Sequence, residues 1–166
     1  MKMGYDTTFE GAFGISPVLK PEHQKYLKAF SETCRVKRNS DLVKNLEDPI
    51  REAVGLPVGE DGGYFVNADG FMGQNEDSSV IDYNRPPKNQ PSLWNQWIPS
   101  EDGTMIVWNE GEKFYDYVEW IQYLVDHFLI PWGYTLNGEV IWSGEEESDT
   151  GKIEIVDNKI THKYLV

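Results

Sequence analysis

The stretch from Phe114 to Phe128 constrains this chain more than any other. Phe114, Tyr117, Val118, Ile121, Leu124, Val125 and Phe128 recur at three- and four-residue steps, while Asp116, Glu119, Gln122 and Asp126 fall on other faces. That is the period of a helix with one apolar side. Asn109 and Glu112 have the spacing of a capping box that would open it, and Pro131 and Gly133 would end it. Such a helix must bury its stripe against another layer. Strand-like runs lie on both sides of it. The expected class is therefore α+β: a mainly antiparallel sheet carrying one long amphipathic helix, with a short N-terminal helical segment.

The strands are read from alternation and turn residues. Gly4 to Ile15, with Tyr5, Phe9 and Phe13, suits an opening strand or hairpin that Ser16-Pro17 breaks. Leu93–Ile98 and Thr104–Trp108 flank Pro99–Gly103, which predicts a hairpin with a five-residue loop. Two tight hairpins are expected after the helix. One would turn at Asn137-Gly138 and the other at Asp157-Asn158, where Ile153, Ile155 and Ile160 alternate with charge.

Residues 20–54 read as helical. Pro21 suits a first helical position, and Tyr26, Leu27, Phe30 and Cys34 make an apolar stripe. Ser40 or Asp41 would cap a second helix with Leu42, Val43 and Leu46 buried. Asp48-Pro49 would start a short third one, closed by Gly55. Beyond Gly55, Tyr64–Val66 reads as a strand, and residues 67–92 as a long loop. No repeat or linker interrupts the chain, which predicts a single domain over 1–166.

Charge and cysteine narrow the function classes. Fifteen Lys+Arg against 28 Asp+Glu leave a net charge of −13, which argues against general nucleic-acid binding. No apolar run reaches the ~18 residues of a membrane span. Cys34 is the only cysteine and lies on an apolar stripe, which predicts a buried thiol. The opening Met1–Thr8 has no apolar signal core, so a reducing cytoplasm is the expected compartment. Residues 20–54 carry eight Lys/Arg and six Asp/Glu, whereas 55–166 carry six and twenty. Arg35, Lys37 and Arg38 read as a solvated basic corner, and Glu145–Asp149 as an acidic loop.

Most site chemistry is missing. There is no phosphate-cradling loop and no dinucleotide fingerprint. One Cys and three scattered His do not suggest zinc. Asn67, Asp69, Gly70 and Glu76 match part of a calcium loop, but its first position would be Phe65. No catalytic residue, metal or cofactor is assigned. A hydrolase using Asp82, Asp116 or Glu119 with a metal is the third reading.

Aromatic residues carry the positive signal. Trp94, Trp97, Trp108, Trp120, Trp132 and Trp142 all lie between 94 and 142. In a strand, Trp94 and Trp97 would face opposite ways, leaving one for a ligand, a partner or a covering loop. On the helix, Asp116, Trp120, Tyr123 and His127 form a second stripe, which suggests burial on more than one side. The candidate ligand- or partner-binding residues are Tyr83, Arg85, Gln90, Trp94 and Trp97. Arg85 would grip an anion, and the rings would stack or anchor.

Four segments carry a resemblance: Met3–Gly11, Asp82–Pro91, Glu112–Tyr117 and Trp132–Gly138. With them the chain resembles a group of small acidic bacterial and phage-type proteins of unassigned function. The resemblance implies an accessory or host–phage role and transfers no site residues. The expected function is a non-enzymatic binding protein that engages a protein partner through an acidic surface with aromatic anchors. The alternative is a small-molecule, nucleotide-like ligand held by Arg85 and the rings.

Overall fold

The computed structural model describes residues 4–66 and 78–165. In chain order the elements are β1 (Thr7–Ser16), α1 (Pro21–Glu32), β2 (Lys37–Arg38), α2 (Ser40–Val43), α3 (Pro49–Ala53), β3 (Val80–Asp82), β4 (Trp97–Pro99) and β5 (Met105–Trp108). Helix α4 follows; it starts as Tyr117–Leu124, widens into a π turn at Val125–Leu129 and finishes at Ile130–Trp132. Then come β6 (Thr135–Gly144), β7 (Thr150–Val156) and β8 (Lys159–Tyr164). The chain forms two compact units, Met1–Leu19 with Gln96–Val166, and Lys20–Asn95.

The first unit is the expected α+β layer pair. Its six strands run antiparallel in the order β4-β5-β1-β6-β7-β8. Alternate residues face the helix: Phe9, Phe13 and Ile15 from β1, Leu136, Val140 and Trp142 from β6, and Ile153 and Ile155 from β7 are buried. Trp120, Ile121, Leu124, Val125 and Phe128 of α4 are buried with them. The ring of Phe9 meets Trp97, Trp108, Phe114 and Tyr117 edge-on at 5.1–5.6 Å, the arrangement aromatic quadrupoles favour. Of the second stripe, Trp120 and Tyr123 are buried and His127 is half-buried, whereas Asp116 is exposed and precedes the helix.

Several local expectations are corrected. Asn137-Gly138 is no turn; β6 runs straight through it, and the predicted pair of tail hairpins becomes three strands. Gly138 is needed for close approach instead. It lies opposite Phe13 at φ 142°, where a Cβ would sit 2.7 Å from the Ala12 carbonyl oxygen. The Asn137 side chain accepts from the Asp157 N–H, and Asn158 Oδ1 accepts from Leu136 N–H. The two asparagines thereby dock the β7–β8 turn, whose residues Asp157 and Asn158 have φ of 48° and 69°, as a primed turn requires.

Asn109 and Glu112 do not cap α4. Asn109 Oδ1 accepts from Gly111 N–H, and Gln96 Nε2 donates to the Glu112 carbonyl. Residues 109–116 thus form a loop, with Glu110, Lys113 and Asp116 at positive φ. Phe114 reaches the core from that loop. Pro131 does not stop the helix either. The π turn, in which Ile130 N–H donates to the Val125 carbonyl, precedes a proline that could not donate in an α ladder. Gly133 ends the helix at φ 88°, donating to Ile130 while Tyr134 N–H reaches back to Leu129, the paired bonds of a Schellman motif. Strand β4 starts only at Trp97, so Trp94 lies ahead of it.

The second unit holds α1, α2, α3 and the small β2–β3 ladder. Pro21 opens α1, and Tyr26, Leu27, Phe30 and Cys34 are buried as the stripe predicts. Asn39 caps α2, rather than Ser40 or Asp41, by accepting from Asp41 and Leu42 N–H. Of the expected buried face only Val43 is inside; Leu42 and Leu46 are exposed. Tyr64–Val66 is not a strand, whereas Val80–Asp82, placed in the predicted loop, is one. The basic corner is also corrected. Arg35 and Arg38 are both 2% exposed. Arg35 donates to the carbonyls of Phe65 and Gly63 and lies over the Phe30 ring; Arg38 donates to Ser79 and lies over Phe65. Their planar guanidinium groups satisfy backbone oxygens and ring faces that the turns leave open. The calcium-loop pattern of Asn67, Asp69, Gly70 and Glu76 lies outside the described residues, as does the first part of the 67–92 loop.

Candidate functional site

The five residues singled out from sequence fall in both units. Tyr83, Arg85, Gln90 and Trp94 belong to the second unit and Trp97 to the first. Tyr83 is exposed. Arg85 is largely exposed and pairs with Asp82 at 3.6 Å, while its carbonyl accepts from Lys37 N–H. Gln90 is buried and committed: Nε2 donates to the Gly63 carbonyl at 2.7 Å, and Oε1 accepts from Arg35. Trp94 is half-buried. Trp97 is 1% exposed, and its indole N–H donates to the Tyr117 carbonyl at 2.8 Å. That ring ties β4 to the start of α4 and presents no face to a ligand.

A different group gathers at one end of the first unit. There the start of β1 meets the end of β6, and the 145–149 turn lies beside the loop that leads into α4. Tyr5 organises this turn. Its hydroxyl donates to Asp149 Oδ2 at 2.7 Å and accepts from Glu146 N–H at 3.2 Å. Trp142 Nε1 donates to the other Asp149 oxygen at 2.9 Å. Glu145 accepts from Asp6 N–H, and Asp6 accepts from Lys113 N–H. The Tyr115 hydroxyl accepts from Tyr5 N–H. These bonds fold an acidic run tightly against the sheet end, where it would otherwise repel itself.

The result is an acidic surface studded with tyrosine. Glu146 and Glu147 are exposed and, among the described residues, take part in no ion pair. Tyr115 is 47% exposed and Tyr164 65%. With Ser148 and Leu165, Glu146, Glu147 and Tyr164 line a shallow hollow. On the other side of Tyr164 lies an open cleft of about 260 Å³, lined by Asp116, Tyr117, Val118, Glu119, Trp142, His162 and Tyr164.

Electrostatics favour a cation here. The first unit carries five Lys/Arg against sixteen Asp/Glu, a net −11, while the second carries only −2. Burial, and then the neighbouring Glu119 charge, push the Asp116 carboxyl above its ordinary range. Burial, then the charge on Asp149, raises the Tyr117 phenol, which stays a neutral donor at physiological pH. Among the described residues no group of three or more His, Cys, Asp and Glu is placed to hold a metal ion, and no helix is long and apolar enough to cross a membrane.

Sequence reasoning noticed Glu145–Asp149 and placed Asp116 beside the helix stripe, but missed the cleft. Its one cue is parity: Ile160, His162 and Tyr164 share the core-facing register of Ile155, Ile153 and Gly151, yet the last two are polar-tipped and exposed. Compared with protein-family models, curated proteins and solved structures, the chain matches none of them.

Proposed function

We propose that the protein is a non-enzymatic binding protein that engages a basic polypeptide partner with the acidic, tyrosine-bearing end of its first unit. The observation that carries this reading is the juxtaposition of exposed Tyr115 and Tyr164 with uncompensated carboxylates in a unit of net charge −11. Glu146, Glu147 and their neighbours would attract a cationic surface from a distance, raising the on-rate. Tyrosine would then supply contact area at small entropic cost, with a hydroxyl able to bond at the rim. The Tyr5–Asp149–Trp142 network holds the turn in one shape before binding, which lowers the ordering cost.

Calorimetric titration with a synthetic twelve-residue Lys/Arg peptide tests the reading. Affinity should fall steeply between low and physiological salt and drop at least tenfold when Glu145, Glu146 and Glu147 are all replaced by Lys. Binding that ignores both salt and the triple replacement would overturn it. An unchanged circular-dichroism spectrum shows that the variant is folded.

A further inference from the structure

The geometry points to the cleft between the start of α4 and β8 as a receptacle for a single arginine side chain of the partner. This deepens the proposed function and rests on it for the identity of the partner as a basic polypeptide. Three rings form the apolar corner. Tyr164 meets Trp142 at 5.5 Å and 78°, and Tyr117 meets Trp142 at 5.6 Å and 54°. Rings inclined to one another can turn their electron-rich faces toward one flat cation from more than one direction. Trp142 is almost wholly buried and makes the floor, while Tyr164 stands exposed as the outer wall.

The polar side of the cleft completes the match. Asp116, at the end of the loop before α4, and Glu119, in the first turn of α4, both line the cleft. Among the described residues neither carboxylate has a cationic partner, and the Tyr117 and Tyr164 hydroxyls make no hydrogen bond. Acidic residues at a helix start do stabilise its dipole, but that role requires neither a cleft nor a three-ring corner. Arginine fits both halves of the lining. Its guanidinium is planar, weakly hydrated and able to stack on rings while donating several N–H groups to carboxylates. A lysine ammonium would satisfy the charge but not the flat stacking surface. Burial and the neighbouring Glu119 charge raise the Asp116 carboxyl, and a bound cation relieves that cost.

The test uses the full chain and two blocked tripeptides, acetyl-Gly-Arg-Gly-amide and its citrulline counterpart, which keeps the shape of arginine without its charge. Amide and indole resonances are followed by NMR. The arginine peptide should shift residues 116–119, the Trp142 indole and residues 162–164 to saturation. Citrulline should bind at least tenfold more weakly. The pair Asp116→Asn with Glu119→Gln should lose at least tenfold for arginine, and Tyr164→Ala severalfold, with resonances elsewhere unmoved. Equal shifts from both peptides, or unchanged arginine binding in the Asn/Gln pair, would overturn the proposal. If the twelve-residue peptide binds in a salt-dependent way while the arginine tripeptide leaves the cleft unmoved, the cleft assignment falls and the surface reading stands. If the tripeptide saturates the cleft and the longer peptide does not bind, the cleft stands as an arginine site and the surface reading falls.

Discussion

Asp48 shows how a single side chain reads differently in sequence and in space. In sequence, Asp48-Pro49 is a helix start, and Pro49 does open α3. In the structure Asp48 makes no side-chain cap bond to that helix. It is wholly buried, accepts from Val66 N–H at 3.1 Å and pairs with Arg51 Nε at 3.0 Å, itself 7% exposed. Removing one member of such a pair strands the other charge away from water. Asp48→Ala should therefore cost about 3–5 kcal/mol in urea unfolding, whereas replacing both residues by Leu should cost far less. Equal costs for the single and double changes would show that the ion pair is not what Asp48 supplies. Arg35 and Arg38 make the same lesson broader. Arginine types as a surface residue, and only a fold that brings carbonyls and rings around it reveals an interior role.

At the scale of elements, punctuation was legible where it was local. The helix stripe of Ile121, Leu124, Val125 and Phe128, Pro21 at the start of α1, Gly55 after α3 and the Asp157-Asn158 turn are set by neighbours within a few residues. Gly133 is the cleanest of these. It adopts φ 88°, and nothing lies within 4 Å of where a Cβ would be, so a substitution there tests backbone conformation alone. Gly133→Ala should cost about 1–2 kcal/mol by thermal unfolding, with no change in the aromatic environment seen by near-UV circular dichroism. A larger loss, or a disturbed aromatic spectrum, would mean that the helix end is held by more than its left-handed cap. Where a signal was ambiguous, the wrong element resulted. Asn-Gly serves a tight turn or a close strand contact equally well, and at 137–138 the partner strand β1 decides for the contact. Asn109 and Glu112 have capping-box spacing, but Gln96 already holds the Glu112 carbonyl and keeps the loop open.

For the whole molecule, charge is the dominant quantity. A net −13 repels itself in the compact state, and screening should relieve that repulsion. Raising sodium chloride from about 10 mM, where the Debye length is ~30 Å, to 150 mM, where it is ~8 Å, should raise the melting temperature. A flat or falling response would show that the carboxylates are already compensated. The amino-acid sequence by itself determined the class, α+β with an antiparallel sheet and one long helix, because period-2 and period-3.6 patterns are written in adjacent residues. It also determined that the surface would be acidic and that Cys34 would be buried. Tertiary structure alone decided that most of the charge excess belongs to the first unit, that Trp97 is core and that Tyr164 is exposed. It alone brought Asp116 and Glu119 to the same cleft as Trp142 and Tyr164. Those residues lie up to 48 positions apart in the chain, and no local pattern records a contact that only the β1–β6–β7–β8 register and the docking of α4 create.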